Sequence, residues 1–190
     1  MQNEENGLTR TFLSNYFRGL RGPLIFSVAT FTVGILIGLS NPHYFNFFIQ
    51  IIKNMGADLL RHGRLYAAVS ILAHNLMASY ILIISGALFG LFPTLALALN
   101  GAIVGAAFRY IGGEMSRLLL HLAPHGVFEL PAFFISAAIA LHCGLASIQL
   151  LGFKEVVARW RLGTRVFLRV VFPLLVVAAF IEAFVSASVP

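Results

Sequence analysis

The chain has 190 residues, of which 59% are apolar and only 11% charged, and its formal net charge is +6. Its mean hydropathy is +0.89. In a soluble domain about a quarter of the residues are charged, a much larger fraction than in this chain. This composition excludes a soluble enzyme or binding domain and predicts an integral membrane protein. Since the sequence lacks short alternating strands separated by turns, we expect an all-α, polytopic helical fold rather than a β-barrel.

Five membrane spans are predicted, because the apolar runs are long enough to supply helices of about 20 residues, the length that crosses a hydrocarbon core. The runs are interrupted by turn-forming pairs such as Asn41-Pro42 and Gly112-Gly113, and Pro93 divides the longest of them. The predicted spans are residues 23–40, 66–92, 94–111, 130–152 and 166–185. We therefore expect residues 1–190 to form a single transmembrane domain.

An amphipathic helix is predicted between the first two spans, within residues 44–64. Its apolar residues recur at helical spacing, and a helix of this kind is expected to lie in the membrane interface. The apolar positions are Phe45, Phe48, Ile49, Ile52, Met55 and Leu59.

Basic residues predict the orientation of the chain in the cell membrane. Eight of the 13 basic residues lie on the side of the N-terminal segment and of residues 154–165, which we interpret as a loop anchored at the membrane surface, with a partner-binding helix as the alternative. The positive-inside rule then places the N-terminus in the cytoplasm and the C-terminus outside. Inner-leaflet lipid is a sufficient partner for this charge, so no nucleic acid is expected. The eight are Arg10, Arg18, Arg21, Lys154, Arg159, Arg161, Arg165 and Arg169. The five on the opposite side are Lys53, Arg61, Arg64, Arg109 and Arg117.

Polar residues in or beside the spans are functional candidates, because such groups are costly in lipid. His74 and Asn75 lie about two turns into the second span from its outer end, and the carboxylate of Glu182 lies near the outer end of the fifth. The segment Pro124-His125-Gly126-Val127-Phe128-Glu129-Leu130 brings an imidazole and a second carboxylate to the outer end of the fourth span. We expect these side chains to meet in the outer half of the membrane. This outer polar group consists of His74, Asn75, His125, Glu129 and Glu182.

The chemistry of the outer polar group permits three roles. Imidazole and carboxylate suit a divalent metal such as Zn²⁺, with His74, His125, Glu129 and Glu182 as ligands. A polar lock that joins helices is the favoured role, and catalysis is the third. Two prolines leave the local structure open. If Pro124 begins a helix, His125 and Glu129 share one face; if Pro131 begins it, residues 124–129 form a loop.

Other polar and small residues have less specific roles. For Asn100 we expect an interhelical hydrogen bond, with a polar cavity as the alternative, and for His142 a packing role, with a ligand or proton relay as the alternative. Three glycine pairs have the spacing of closely packed membrane helices. We expect them to pack within the bundle, and a homodimer is the alternative. These pairs are Gly34/Gly38, Gly86/Gly90 and Gly101/Gly105.

In chain order, these motifs resemble the stage II sporulation protein M family over residues 70–182. The specific part is Pro-His-Gly-x-x-Glu at residues 124–129, followed by Ile181-Glu182; His74-Asn75, Phe89-Gly90 and Leu99-Asn100-Gly101 are weaker parts. The resemblance implies a small five-helix membrane protein with a cytoplasmic N-terminus, which in endospore formers recruits cell-wall hydrolases for engulfment. Residues before Ser70 contribute nothing to this resemblance.

We therefore expect a non-enzymatic membrane scaffold or assembly factor, without catalytic residues, whose partner is another membrane or envelope protein. The first alternative is an intramembrane metal-dependent hydrolase, in which Glu129 or Glu182 acts as general base on a metal-bound water. The second alternative is a small channel or transporter lined by Asn100, His142 and the outer polar group.

Overall fold

The computed structural model describes residues 14, 16–110 and 115–184, without the side chains of residues 53, 56, 57, 59, 60 and 115–125. This part of the chain contains helices and no strand, and five helical segments are long and apolar enough to cross a membrane. The prediction of an all-α, polytopic membrane protein is confirmed.

From Arg21 onwards, seven α-helices follow one another along the described chain, and residues 16–19 just before them are also helical. They are α1 (Arg21–Ser40), α2 (Asn46–Arg61), α3 (Arg64–Ser85), α4 (Leu91–Tyr110), α5 (Met115–Ile148), α6 (Phe153–Val166) and α7 (Phe172–Phe184). A 3₁₀ turn, Pro42–Phe45, precedes α2, which is the predicted amphipathic helix. A π-helical turn, Phe167–Val171, joins α6 and α7 into the fifth apolar segment, Phe153–Phe184.

The break between the second and third spans lies earlier than expected. Helix α3 ends at Ser85 rather than at residue 92, and the chain turns through residues 86–90. Phe89 and Gly90 take φ values of 57° and 69°, a left-handed conformation that ends a helix and that glycine adopts without strain. Pro93 is the third residue of α4, where its missing N–H has no intrahelical partner to lose.

Two segments are helical: one whose structure the sequence left undecided, and one that was expected to be a loop. Helix α5 contains both Pro124 and Pro131, so residues 124–129 form no loop and residues 125 and 129 lie one turn apart on one helix. A proline is tolerated in a membrane helix where its surroundings satisfy the freed carbonyl. Residues 154–165 lie in α6, so their interpretation as a loop is wrong. The π turn that follows ends just before Pro173, whose ring would clash with the carbonyl of residue 169 in a regular α-helix.

The predicted glycine pairs pack inside the bundle. A Cβ on Gly34 or Gly38 of α1 would collide with the backbone carbonyl of Ala98 or Ala102 of α4. In return, Gly101 of α4 lies against the backbone of α1 at Phe31, and Gly105 lies against it at Ile35. Such small residues allow two helix backbones to approach closely, which supplies packing energy where no hydrophobic effect acts between helices. Gly86 lies in the same way against Ala140 of α5.

Contacts between helices fix their relative directions. Helices α1 and α4 run parallel, because later residues of one meet later residues of the other. Helix α3 likewise runs parallel to α5, whereas the α6–α7 segment is antiparallel to both, with Ala183 packed beside Ala67 and Ala68. The five segments therefore alternate in direction, as successive membrane spans must. We call the end where α3 begins and α7 ends the distal end, and the opposite end, with residues 86–90, the proximal end.

Candidate functional site

A hydrogen bond between α3 and α5 forms the centre of the outer polar group. The side-chain Nδ2 of Asn75 donates to Oε1 of Glu129 at 3.4 Å, which is longer than the roughly 2.7–3.2 Å usual for an N–H···O hydrogen bond. Both side chains are half-buried between the helices. The bond exists because α3 and α5 run parallel and because α5 begins at residue 115, which places Glu129 well inside the helix rather than at its start.

His74 and Glu182 occupy different positions from this pair. His74 is exposed, although the adjacent Asn75 faces α5, because consecutive helix positions point about 100° apart. Glu182 is half-buried and precedes Ala183, which packs against Ala68. Ala68 lies seven residues before Asn75, which corresponds to about 10 Å along the helix axis. Glu182 is therefore closer to the distal end than the Asn75–Glu129 pair.

The predicted metal ligands are only partly described. His125 lies in α5 one turn to the distal side of Glu129, and its side chain is outside the described residues. Among the described residues, no group of three or more His, Cys, Asp and Glu side chains could hold a metal ion. The set of His74, His125, Glu129 and Glu182 thus stays a prediction.

A second polar group lies at the proximal end and is centred on Arg159 of α6. Its Nε donates to Oε1 of Glu155 at 2.9 Å, and its NH1 donates to the backbone carbonyl oxygen of His142 in α5, also at 2.9 Å. The Arg159 side chain is only 16% exposed, against 44% for Glu155. A guanidinium can make both bonds because its donors form a rigid planar fork. Arg159 therefore fastens α6 to α5.

Sequence reasoning placed Arg159 in a surface loop and so missed this contact. The signal that could have indicated a helix is the Glu155/Arg159 pair, an acidic residue four positions before a basic one. No pattern in the sequence indicated the backbone carbonyl of His142 as the second acceptor. The ring of His142 is half-buried and packs edge-on against Tyr16, with ring centres 6.1 Å apart. Burial raises the pKa of the Tyr16 phenol, which is therefore neutral at physiological pH.

Weaker polar contacts extend the proximal group across α3, α5 and α6. Tyr80 Oη and Thr164 Oγ1 are 3.4 Å apart, and Thr164 also donates to the carbonyl of Trp160 at 3.0 Å. Ser147 of α5 donates to the carbonyl of Ala87, just after α3, at 2.9 Å. Helices α3, α5 and α6 are thus joined by polar bonds in addition to the contact of Gly86 with Ala140, whereas α1 and α4 are joined through glycines.

Within the described part of the chain, Asn100 does not make the expected interhelical hydrogen bond. It is exposed on α4, and its Nδ2 donates to the carbonyl oxygen of Ala96, one turn earlier in the same helix, at 2.8 Å. His142 is half-buried near the proximal end of α5, in contact with Tyr16. Since Asn100 lies on the outer surface, these two residues do not line one path through the described bundle, as the channel alternative requires.

An apolar cleft of about 130 Å³ opens at the proximal end, between the end of α3, α5 and the start of α6. Its residues belong to a different part of the bundle from the Asn75–Glu129 pair, so it is not continuous with that pair. The cleft is lined by Ile83, Ile84, Ala87, Cys143, Phe153, Val156, Val157 and Trp160.

Comparison with known proteins identifies the family. The model of the family described as Stage II sporulation protein M matches residues 25–187. No curated protein and no solved structure matched the chain. The expectation that residues before Ser70 contribute nothing is wrong, and the reason is structural, since α1 packs against α4 as part of the same bundle. Because the match extends from the first span to beyond α7, the chain belongs to the stage II sporulation protein M family.

Proposed function

We propose that this protein is a non-enzymatic membrane scaffold or assembly factor, and that its partner is another membrane or envelope protein. The Asn75–Glu129 bond supports this role most directly. In this bond the candidate carboxylate at position 129 interacts with a neighbouring helix, which is the arrangement of a structural lock. The outer polar group then keeps the helices in the register that presents a defined surface to the partner.

The interfacial helix offers a surface for such a partner. Large apolar side chains on and just before α2 are exposed, including Tyr44 at 71% and Phe47 at 69%. Membrane headgroups cover part of such a helix, and a partner at the same level can contact the rest. This arrangement requires a rigid bundle beneath α2, which the polar bonds and the glycine contacts supply.

We expect replacement of the lock by an apolar pair to preserve the scaffold, whereas single replacements weaken it. Asn75→Leu or Glu129→Leu removes one hydrogen-bonding partner from a half-buried pair, at a cost of about 1–3 kcal/mol in unfolding free energy. The double variant should lose clearly less than the sum, because the two residues interact directly. Thermal unfolding in detergent measures the stabilities. Native gels of mildly solubilised source membranes show whether each variant still enters a larger assembly.

Two results would contradict this proposal. Additive losses would show that the two residues do not form a lock, and a wild-type chain that migrates without a partner would argue against the scaffold role. Gln149→Leu is the control, because it removes a primary amide from an exposed position outside the lock and should leave the unfolding temperature and the assembly unchanged. An enzyme that uses Glu129 only as a base would instead keep its stability and assembly in Glu129→Leu, the variant in which a lock is weakened.

A divalent metal such as Zn²⁺ is the second candidate for the same residues, and the position of His125 one turn from Glu129 on a continuous helix favours it. Glu129→Gln separates the two roles, because an amide oxygen can still accept from Asn75 but is a poor metal ligand. A lock predicts little change in stability and no stoichiometric metal. A metal centre predicts about one ion per purified chain, with loss of that ion in both Glu129→Gln and His125→Ala.

We propose that the distal end faces outward, with the N-terminus in the cytoplasm, on the basis of the eight-to-five basic asymmetry. A cysteine at Tyr44, in the turn before α2, should then react with a membrane-impermeant maleimide on intact cells. A cysteine at the exposed Arg161 of α6 should react only after lysis. Buried Cys143 supplies the background, and the reverse labelling pattern would disprove this orientation.

A further inference from the structure

A primary amide lies on the outside of the bundle at the middle of a membrane span. Asn100 is the tenth residue of the 20-residue helix α4, which places it about 14 Å from either end. It is exposed, and one of its N–H groups donates to Ala96 of the same helix. Among the described residues, the second N–H and Oδ1 have no hydrogen-bond partner. At this depth there is no water to supply one, so the exposed amide is costly in lipid.

We propose that Asn100 is the centre of a homodimer interface on α4. An amide carries both a donor and an acceptor, so two asparagine side chains can bond to each other. Two copies inserted in the same direction are related by a twofold axis along the membrane normal, which brings each residue to the depth of its own counterpart. A second copy therefore supplies the matching group at the matching depth.

The surface around Asn100 permits close approach of two helices. Ala96, one turn before it, is small and half-buried, and it packs against the buried cluster that contains Leu97 and Leu141, so it lies at the edge of the proposed face. Ile103, about one turn after it, is also partly buried. The glycines of α4 do not compete for this role, since Gly101 and Gly105 face α1 inside the bundle. Helix α4 can thus contact α1 on one side and a second copy on the other.

Disulfide cross-linking in lipid tests the interface directly. We expect Ile103→Cys to form a covalent dimer on mild oxidation of reconstituted vesicles. Val33→Cys is the matched control because it lies at a similar depth on the exposed face of α1, at 54% exposure, and should stay monomeric. The wild-type chain, whose Cys143 is buried, provides the background. Cross-linking at both positions, or at Val33 alone, would overturn the proposed face.

The role of the amide is tested by the monomer–dimer equilibrium in vesicles at increasing lipid dilution, measured by single-molecule photobleaching. We expect Asn100→Leu to weaken association roughly three- to thirtyfold, the range set by measured interhelical hydrogen bonds. Asn100→Gln should retain association in part.

Unchanged thermal unfolding of Asn100→Leu would show that the fold is intact. A wild-type chain that is monomeric at every dilution, or equal association of wild type and Asn100→Leu, would overturn the proposal. Cross-linking of Ile103→Cys only to a different protein in native membranes would also overturn it.

Discussion

Gly38→Ala is expected to destabilise the protein by about 1–3 kcal/mol, although alanine is the better helix former by about 1 kcal/mol. The added methyl group would overlap the carbonyl of Ala102 and its Cα, so α1 and α4 must separate along the crossing. Backbone atoms cannot rotate away as the end of a flexible side chain can. Gly38→Leu should cost about 3 kcal/mol or more, because the added volume is larger.

Gly22→Ala is the matched control for this prediction. Gly22 lies in the same helix, and a Cβ added there would meet nothing within 4 Å. The same chemical change should therefore leave stability unchanged or raise it slightly. Thermal unfolding of both variants in one detergent measures the difference. If the two changes had equal effects, the glycine contacts between α1 and α4 would not hold the bundle together.

The all-α class and the five membrane spans could be predicted from composition and length, because a membrane sets the length and the apolar character of each helix that crosses it. The ends of the helices were harder to predict. Pro93 was taken as a break because proline interrupts helices, but proline is also well suited to the first turn of the next helix. Residues 86–90 carried the actual signal, a positive-φ Phe89-Gly90 pair whose conformation the sequence alone does not specify.

The candidate site was predictable only in part. The motif at residues 124–129 and the His74-Asn75 pair indicated that α3 and α5 carry partners, and the structure joins Asn75 to Glu129. Such contacts depend on the relative directions of the helices, which the sequence indicated only as an alternation between successive spans. Depth estimates from span ends placed Glu182 in the same group, yet its neighbour Ala183 packs about two turns to the distal side of Asn75.

The bundle has two kinds of helix contact, which are expected to respond differently to the surroundings. The α1–α4 contact depends on close approach of backbones, which a change of pH does not alter. The contacts among α3, α5 and α6 include hydrogen bonds between helices, one of which involves a carboxylate, in addition to the close approach of Gly86 to Ala140.

Arg159→Met is expected to lower the unfolding free energy by about 1.5–3 kcal/mol, the usual contribution of a hydrogen bond to a charged group that is largely shielded from water. Methionine keeps much of the aliphatic stem but leaves the carbonyl of His142 without this donor. Glu155→Gln should cost less than about 0.5 kcal/mol, because Glu155 is 44% exposed and its side chain can still accept a hydrogen bond.

Limited trypsin digestion provides a local readout of the Arg159 contact. If Arg159 fastens α6 to α5, Arg159→Met should release α6 and speed cleavage at Lys154 and Arg161, which are exposed on the same helix. Arg161→Lys is the matched control, since it retains the cleavage site and removes no hydrogen bond observed in the described chain. An equal loss of stability in Glu155→Gln and Arg159→Met would contradict this interpretation, because the ion pair within α6, and not the bond to His142, would then account for the loss.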